Sequence, residues 1–220
     1  MSPRFDPARL SLYLVLDPGL CAGFGLVETV RAAVRGGVTM IQLRDKEGTT
    51  ADRIAAGRAL KNALAGTGVP PIINDDVEAA RTIGADGVHI GQDDMGPAEA
   101  RALIGADRVL GLSVETEPLA RGLDPALVDY AGAGPVFATE TKPGHKPATG
   151  FDGLARIVAA CPVPAVAIGG LKPGHAARTL ASGAAGLSVV SAICGQPDPE
   201  AAARALAREI AAARMELGRD

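Results

Sequence analysis

Gln42, Arg44 and Lys46 fall at alternate positions at the end of the segment VTMIQLRDK, residues 38–46. Alternate residues of an extended chain face the same side, so one amide and two cations converge where an apolar strand gives out. Met40 and Ile41 are both apolar, which reads as a strand covered on both faces with its polar groups confined to one end. That arrangement fits an anion-binding edge; a solvated strand end is the plainer alternative. Opposite charge comes from Asp75 and Asp94, each placed just past a short apolar run. Two carboxylates beside cations fit a Mg²⁺ site shared with substrate phosphates, because Mg²⁺ prefers one or two carboxylates completed by waters and phosphate oxygens. The alternative is helix capping, in which Asp75 or Asp76 accepts from the first free amides of the following helix. Each Asp alone serves either role; Arg44 and Lys46 favour the metal–phosphate reading.

A second anion signal lies later in the chain. Gly169 and Gly170 allow close backbone approach to a ligand, and the amides after Val190, including that of Ser191, can do the same at the start of a turn. A tight turn is the plainer reading of the two glycines. Between the two signals runs TETKPGHKP, residues 139–147. Its threonines and lysines can grip phosphate, and its Pro/Gly content fits a mobile lid. Two anion sites imply one bisphosphorylated substrate or two phosphorylated ones. His89, inside an apolar run, reads as a packed residue and not as a base. His145 falls in the loop and His175 in a helical stretch. Paired-histidine spacing, GxSxG, GxGxxG and a Walker loop are all missing, which argues against a zinc enzyme, a serine hydrolase and a nucleotide binder.

The elements that must position these groups alternate regularly. Strands are predicted over 11–17, from 38 into the Gln42, Arg44 and Lys46 cluster, and over 71–75, 86–90, 108–113, 128–132, 165–168 and 186–190. Helices are predicted between them, over 26–35, from 50 to 66, to Gly84, from Pro97, over 115–122, 151–160, 173–182 and 198–215. Gly36 is expected to take the left-handed cap of the first of these. Eight strand–helix units in a chain of 220 residues fit an α/β fold, a single-domain (β/α)8 TIM barrel; an open doubly wound sheet is the competitor. Residues 1–10 read as a short frayed arm and residues 11–220 as the catalytic barrel. Every strand of such a barrel ends on one face, where the active site is built.

Composition sets the surroundings. With 22 basic and 25 acidic residues the net charge is −3, which gives no reason to expect nucleic acid or an acidic membrane as partner. Three widely spaced cysteines fit reduced thiols. No charged-then-apolar leader and no long apolar run stand out, so a soluble cytoplasmic protein is expected. Whether the chain forms a homo-oligomer is left open.

From LYLVLD at the first strand to the last helix, the chain resembles the thiamine-phosphate synthase family. The motifs are QLRDK (42–46), IINDD (72–76), ADGVHIGQDD (85–94), GLS (111–113), GPVFATETK (134–142), AIGG (167–170) and VVSAI (189–193). The resemblance implies a transferase that joins hydroxymethylpyrimidine pyrophosphate to a thiazole phosphate with release of pyrophosphate. It implies that Gln42, Leu43, Arg44, Asp45, Lys46 and Asn74 hold the pyrimidine pyrophosphate, and that Asp75 and Asp94 bind Mg²⁺. Ser113 and Lys142 would complete that pocket and, with Arg44 and Lys46, make up the catalytic set. Thr139, Glu140 and Thr141 would contact the thiazole side; Gly170, Val190 and Ser191 would cradle its phosphate. The loop ETKPGHKPATG (140–150) leaves His145 and Lys146 without an assigned role. Relatives that isomerise the thiazole partner need no pyrimidine site, yet this chain keeps Gln42, Arg44, Lys46, Asp75 and Asp94. A metabolite-sensing barrel and a sugar-phosphate isomerase or epimerase are the readings from other classes.

Overall fold

A computed structural model describes residues 5–138 and 147–218. Eight parallel strands close into a barrel in sequence order: β1 (Leu12–Leu16), β2 (Met40–Leu43), β3 (Pro71–Asn74), β4 (Gly87–Ile90), β5 (Val109–Val114), β6 (Tyr130–Ala133), β7 (Ala165–Ala167) and β8 (Gly186–Val189). Closure is direct, with Leu14 of β1 in register with Val189 of β8. The helices are α1 (Pro18–Cys21), α2 (Leu26–Arg35), α3 (Thr50–Leu64), α4 (Val77–Ile83), α5 (Pro97–Ile104), α6 (Glu117–Arg121), α7 (Gly150–Ala160), α8 (Ala176–Ala181) and α9 (Pro199–Glu216). The expected barrel is the observed one.

Two-residue alternation sorts the strand side chains into two cores. Leu14, Ile41, Leu43, Ile73, Val88, Leu110, Ala131 and Leu187 face the helices. Tyr13, Met40, Ile72, Val109, Tyr130 and Val166 fill the barrel itself. Large interior side chains need small ones opposite. A Cβ on Gly111 would lie 2.2 Å from the Tyr130 ring and 2.5 Å from His89 Nδ1, so the glycine of β5 makes room for both.

Three local expectations change. Residues 5–10 are not frayed: Asp6 caps a 3₁₀ turn over Pro7–Leu10, and Phe5 and Leu10 are buried. Phe5 stacks on Tyr130, with centroids 5.4 Å apart, and so plugs the barrel from below. At the end of α2 it is Gly37, not Gly36, that has positive φ (103°); Gly36 stays right-handed, and a Cβ there would lie 2.5 Å from Ala203 Cβ on α9. His175 is the residue before α8 and not part of a longer helix.

Because Phe5 closes the barrel floor, Phe5→Ala should lower the unfolding free energy by about 3 kcal/mol. Urea denaturation measures this; an unchanged midpoint would mean that the arm does not pack in solution.

Candidate active site

The polar groups gather at the C-terminal ends of β2 to β5. On β2, Gln42 faces the barrel interior and is almost fully buried, while Leu43 packs among the helix-facing residues. Its side chain therefore turns away from the mouth, and only its backbone reaches the site. Asp45 serves the loop: its Oδ1 accepts from the Gly48 amide at 2.9 Å, and its carbonyl accepts from Arg53 Nε at 2.9 Å. The Arg44 amide continues the sheet by donating to the Leu16 carbonyl at 2.9 Å.

After β3 the two adjacent aspartates divide the work. Asp76 is the N-cap of α4: its Oδ1 accepts from the Ala79 amide at 2.8 Å and its Oδ2 from Arg53 at 3.2 Å. Burial raises its pKa, but the bonds from Ala79, Thr50 and Arg53 outweigh burial and hold it below the ordinary value. Asp75 is thereby free of capping. It has φ 60°, a left-handed conformation uncommon for any residue but glycine, and it ends the strand one residue earlier than expected. Its amide still donates to the His89 carbonyl at 2.8 Å, so the turn is anchored while its side chain swings to Lys46, with which it is ion-paired.

Asp94 approaches from the loop after β4, its Oδ2 accepting from the Gly91 amide at 2.7 Å. The Asp75 and Asp94 carboxyl groups lie close enough to influence each other's charge. Burial and then the Asp75 carboxyl push the pKa of Asp94 up, against the Gly91 amide and Lys46, which pull it down. Two carboxyl groups held together at a rim, one of them reluctant to ionise, form a place where a cation is favoured. Among the described residues no group of three or more His, Cys, Asp or Glu side chains could hold a metal; the pair is suited to a cation that takes most of its ligands from elsewhere. Gln92 Nε2 donates to the Ser113 carbonyl at 2.6 Å and ties the loops after β4 and β5 together.

Inside the mouth lies a buried chain that the motifs do not announce. Gln42 Nε2 donates to the Tyr13 hydroxyl at 2.6 Å, and the Tyr13 and Tyr130 hydroxyls are 2.9 Å apart. His89 Nδ1 lies 2.9 Å from the Tyr130 hydroxyl, and its Nε2 lies 2.9 Å from Ser113 Oγ. Burial pushes both phenols up in pKa, so both stay protonated. His89 is the packed barrel residue it was expected to be. The available signal for the tyrosines was that the chain has only two, each within an apolar strand where a hydroxyl must find a partner. Asn74, inward by its alternation with Ile73, ends β3 opposite His89.

Across the rim, Gly169 (φ 90°) and Gly170 (φ 65°) follow β7. A Cβ on Gly170 would lie 2.7 Å from Phe137 Cβ and 2.8 Å from the Ala138 carbonyl, so packing against residues 135–138 requires glycine here whether or not a ligand binds. Among the described residues, neither the Gly170 nor the Ser191 amide is spent on a backbone carbonyl. Val190 is partly exposed and Ser191 exposed. Thr139, Glu140, Thr141, Lys142, His145 and Lys146 lie outside the described residues.

The cap at Asp76 carries a prediction with a pH signature. Its lowered pKa means stability that is present above the ordinary aspartate value of about 3.9 and lost as pH falls through the folded value. Asp76→Ala should therefore cost about 1–2 kcal/mol at pH 7 and progressively less as the solution is acidified below that range. Urea midpoints of both proteins over pH 7 to 3 test this, and a difference that did not narrow would contradict the assignment.

Residues 12–193 match the family described as thiamine monophosphate synthase. The chain is 52% identical over 206 residues to the thiamine-phosphate synthase of Solidesulfovibrio magneticus, covering 94% of this chain and 96% of that one. It is 49% identical over 208 residues to that of Xanthobacter autotrophicus, covering 94% and 99%. Among solved structures, the thiamine phosphate pyrophosphorylase of Pyrococcus furiosus superposes with a TM-score of 0.84 at 31% identity, over 94% of this chain and 98% of that one. The chain belongs to the thiamine monophosphate synthase family and is an enzyme of transferase type.

Proposed function

We propose that the chain joins hydroxymethylpyrimidine pyrophosphate to a thiazole phosphate, giving thiamine phosphate and pyrophosphate, with Mg²⁺ as the metal at Asp75 and Asp94. The observation that carries this reading is the Asp75–Lys46 ion pair at the mouth of the barrel, with the Asp94 carboxyl close enough to interact with both. The donor set fits the ion: two carboxylates leave most positions to water and to pyrophosphate oxygens. When bound, Mg²⁺ would offset the charge that builds on the departing pyrophosphate.

The chain's own residues do the rest. Arg44, Lys46 and Lys142 stabilise the same developing charge, the electrostatic contribution that dominates sites of this kind. Lys46 holds Asp75 in the free protein and is placed to exchange that partner for a phosphate oxygen. Gln42, Asn74 and Ser113 orient the pyrimidine; Gly170, Val190 and Ser191 hold the thiazole phosphate. The C–O bond breaks with its electron pair leaving on pyrophosphate. The electron-rich aminopyrimidine carries the resulting methylene cation, and the lone pair of the thiazole nitrogen forms the new C–N bond. No base is needed, since that nitrogen carries no proton to remove, and His89 accordingly sits inside the barrel and not at its mouth.

Pyrophosphate release by the purified protein should require both phosphorylated partners and stop with EDTA. Release from the pyrimidine ester alone, or release indifferent to EDTA, would refute the reading. Asp94→Asn should lower turnover by at least on the order of a hundredfold and leave Tm unchanged or raised, because it removes one of two like charges. Retained turnover would exclude Asp94 from metal binding. An electron-withdrawing substituent on the pyrimidine should slow the reaction greatly; an unchanged rate would rule out the cation.

A further inference from the structure

We propose that Gln42, Tyr13, Tyr130, His89 and Ser113 form a hydrogen-bond chain with a single sense, which holds His89 as the Nε2–H tautomer and turns the Ser113 hydroxyl hydrogen out of the chain toward the pyrimidine. Only that last clause rests on the proposed function; the sense of the chain follows from the Gln42 amide nitrogen facing Tyr13 and from counting hydrogens. The Gln42 amide nitrogen can only donate, so the Tyr13 oxygen accepts at 2.6 Å. Tyr13 has one hydrogen of its own, and its other partner in the chain is the Tyr130 oxygen at 2.9 Å. Tyr130 then has its single hydrogen left for His89 Nδ1, also at 2.9 Å. An Nδ1 that accepts carries no proton, so the ring hydrogen sits on Nε2 and is given to Ser113 Oγ at 2.9 Å. Ser113 accepts from His89 and keeps its own hydrogen for a group beyond the chain.

Mixed arrangements fail. Were Nδ1 to donate to Tyr130, as in the other tautomer or the imidazolium, Tyr130 would donate to Tyr13. Tyr13 would then accept from both sides with its own hydrogen stranded. The Tyr13 and Tyr130 side chains are 1% and 0% exposed, and an unmade hydrogen bond at such depth is strongly disfavoured. With the Gln42 carbonyl oxygen at Tyr13 instead, every link as far as Nδ1 reverses, and Nε2 either accepts from Ser113 in the neutral ring or donates to it in the imidazolium. The two senses have opposite chemistry at the ends. In the first, Ser113 offers a donor and Gln42 an acceptor; in the second, with a neutral ring, Ser113 can only accept. A 4-aminopyrimidine presents an amino donor beside ring-nitrogen acceptors, which is the complement of the first sense. Tyr13, Tyr130 and His89 are thus positioning residues, acting on substrate through Ser113 and Gln42.

The test reads the tautomer of the full-length, ¹⁵N-labelled protein by imidazole NMR. The chain has three histidines, so His89 is assigned by substituting the other two. The expected spectrum has a pyrrole-type Nε2 and a pyridine-type Nδ1; a protonated Nδ1 would overturn the proposal. Tyr130→Phe should erase the Nε2–H preference. It should also lower kcat for pyrophosphate release by roughly three- to tenfold, with KM for the thiazole phosphate unchanged. A folded Tyr130→Phe protein that keeps both the tautomer and kcat would overturn it as well. Tyr13→Phe, which cuts the chain one link earlier, should act in the same direction if Tyr130→Phe does not fold. Should the wild-type protein release no pyrophosphate at all, the proposed function fails, while the wild-type tautomer still decides the sense of the chain.

Discussion

A parallel barrel confines its interior to one narrow column, and polar side chains can occupy that column only if they satisfy one another. Here five side chains from β1, β2, β4, β5 and β6 do so in an unbroken chain. Much of the surrounding packing serves it. Gly111 is a glycine because Tyr130 and His89 fill the space its side chain would take, and Phe5 stacks beneath Tyr130 to seal the apolar end. Below the chain the column is hydrocarbon; above it lies the mouth. The chain marks the level at which the barrel changes from core to site.

The rim follows a different logic. Capping, loop bracing and charge placement are given largely to different residues. Asp76 and Asp45 are engaged with backbone amides and with Arg53. Asp75 pairs with Lys46 and Asp94 with the Gly91 amide, and burial, then the neighbouring Asp75 carboxyl, raises the pKa of Asp94. The left-handed backbone of Asp75 points the same way, because strain of this kind persists where the surroundings over-determine it, often at functional sites.

The barrel was legible because its signal is periodic: eight apolar runs separated by helical stretches leave few other architectures. The cluster of Gln42, Arg44 and Lys46 was legible because it is local. Other features depend on partners distant in sequence. Nothing near Tyr13 reveals that its hydroxyl meets Tyr130, 117 positions away. Asp75 and Asp76 could not be told apart by type, since capping depends on which of them has the backbone angles that aim an oxygen at Ala79. Leu43 and Asp45 lie between the polar members of the motif, and alternation itself turns Leu43 toward the helices. The arm was misread because Phe5, a single aromatic in a proline-bracketed stretch, declares no periodicity; only the closed barrel supplies the surface that buries it.

The two halves of the rim are also built from different materials, and the difference matches what each must do. At the ends of β2 to β5 the groups are side chains with defined charge and hydrogen-bond sense, locked from below and braced from the side by Gln92 on the Ser113 carbonyl. Such groups can discriminate one face of a heterocycle from another and stabilise charge as it forms. After β7 and β8 the available groups among the described residues are the backbone amides of Gly170 and Ser191, which could hold an anion but cannot shift a proton or follow a change in charge. Under the proposed function, bond breaking would belong to the first half, and the second would serve as an anchor. A nucleophile tethered there by its phosphate would approach the reacting carbon with its orientation already set, which lowers the entropic part of the barrier without any further catalytic group.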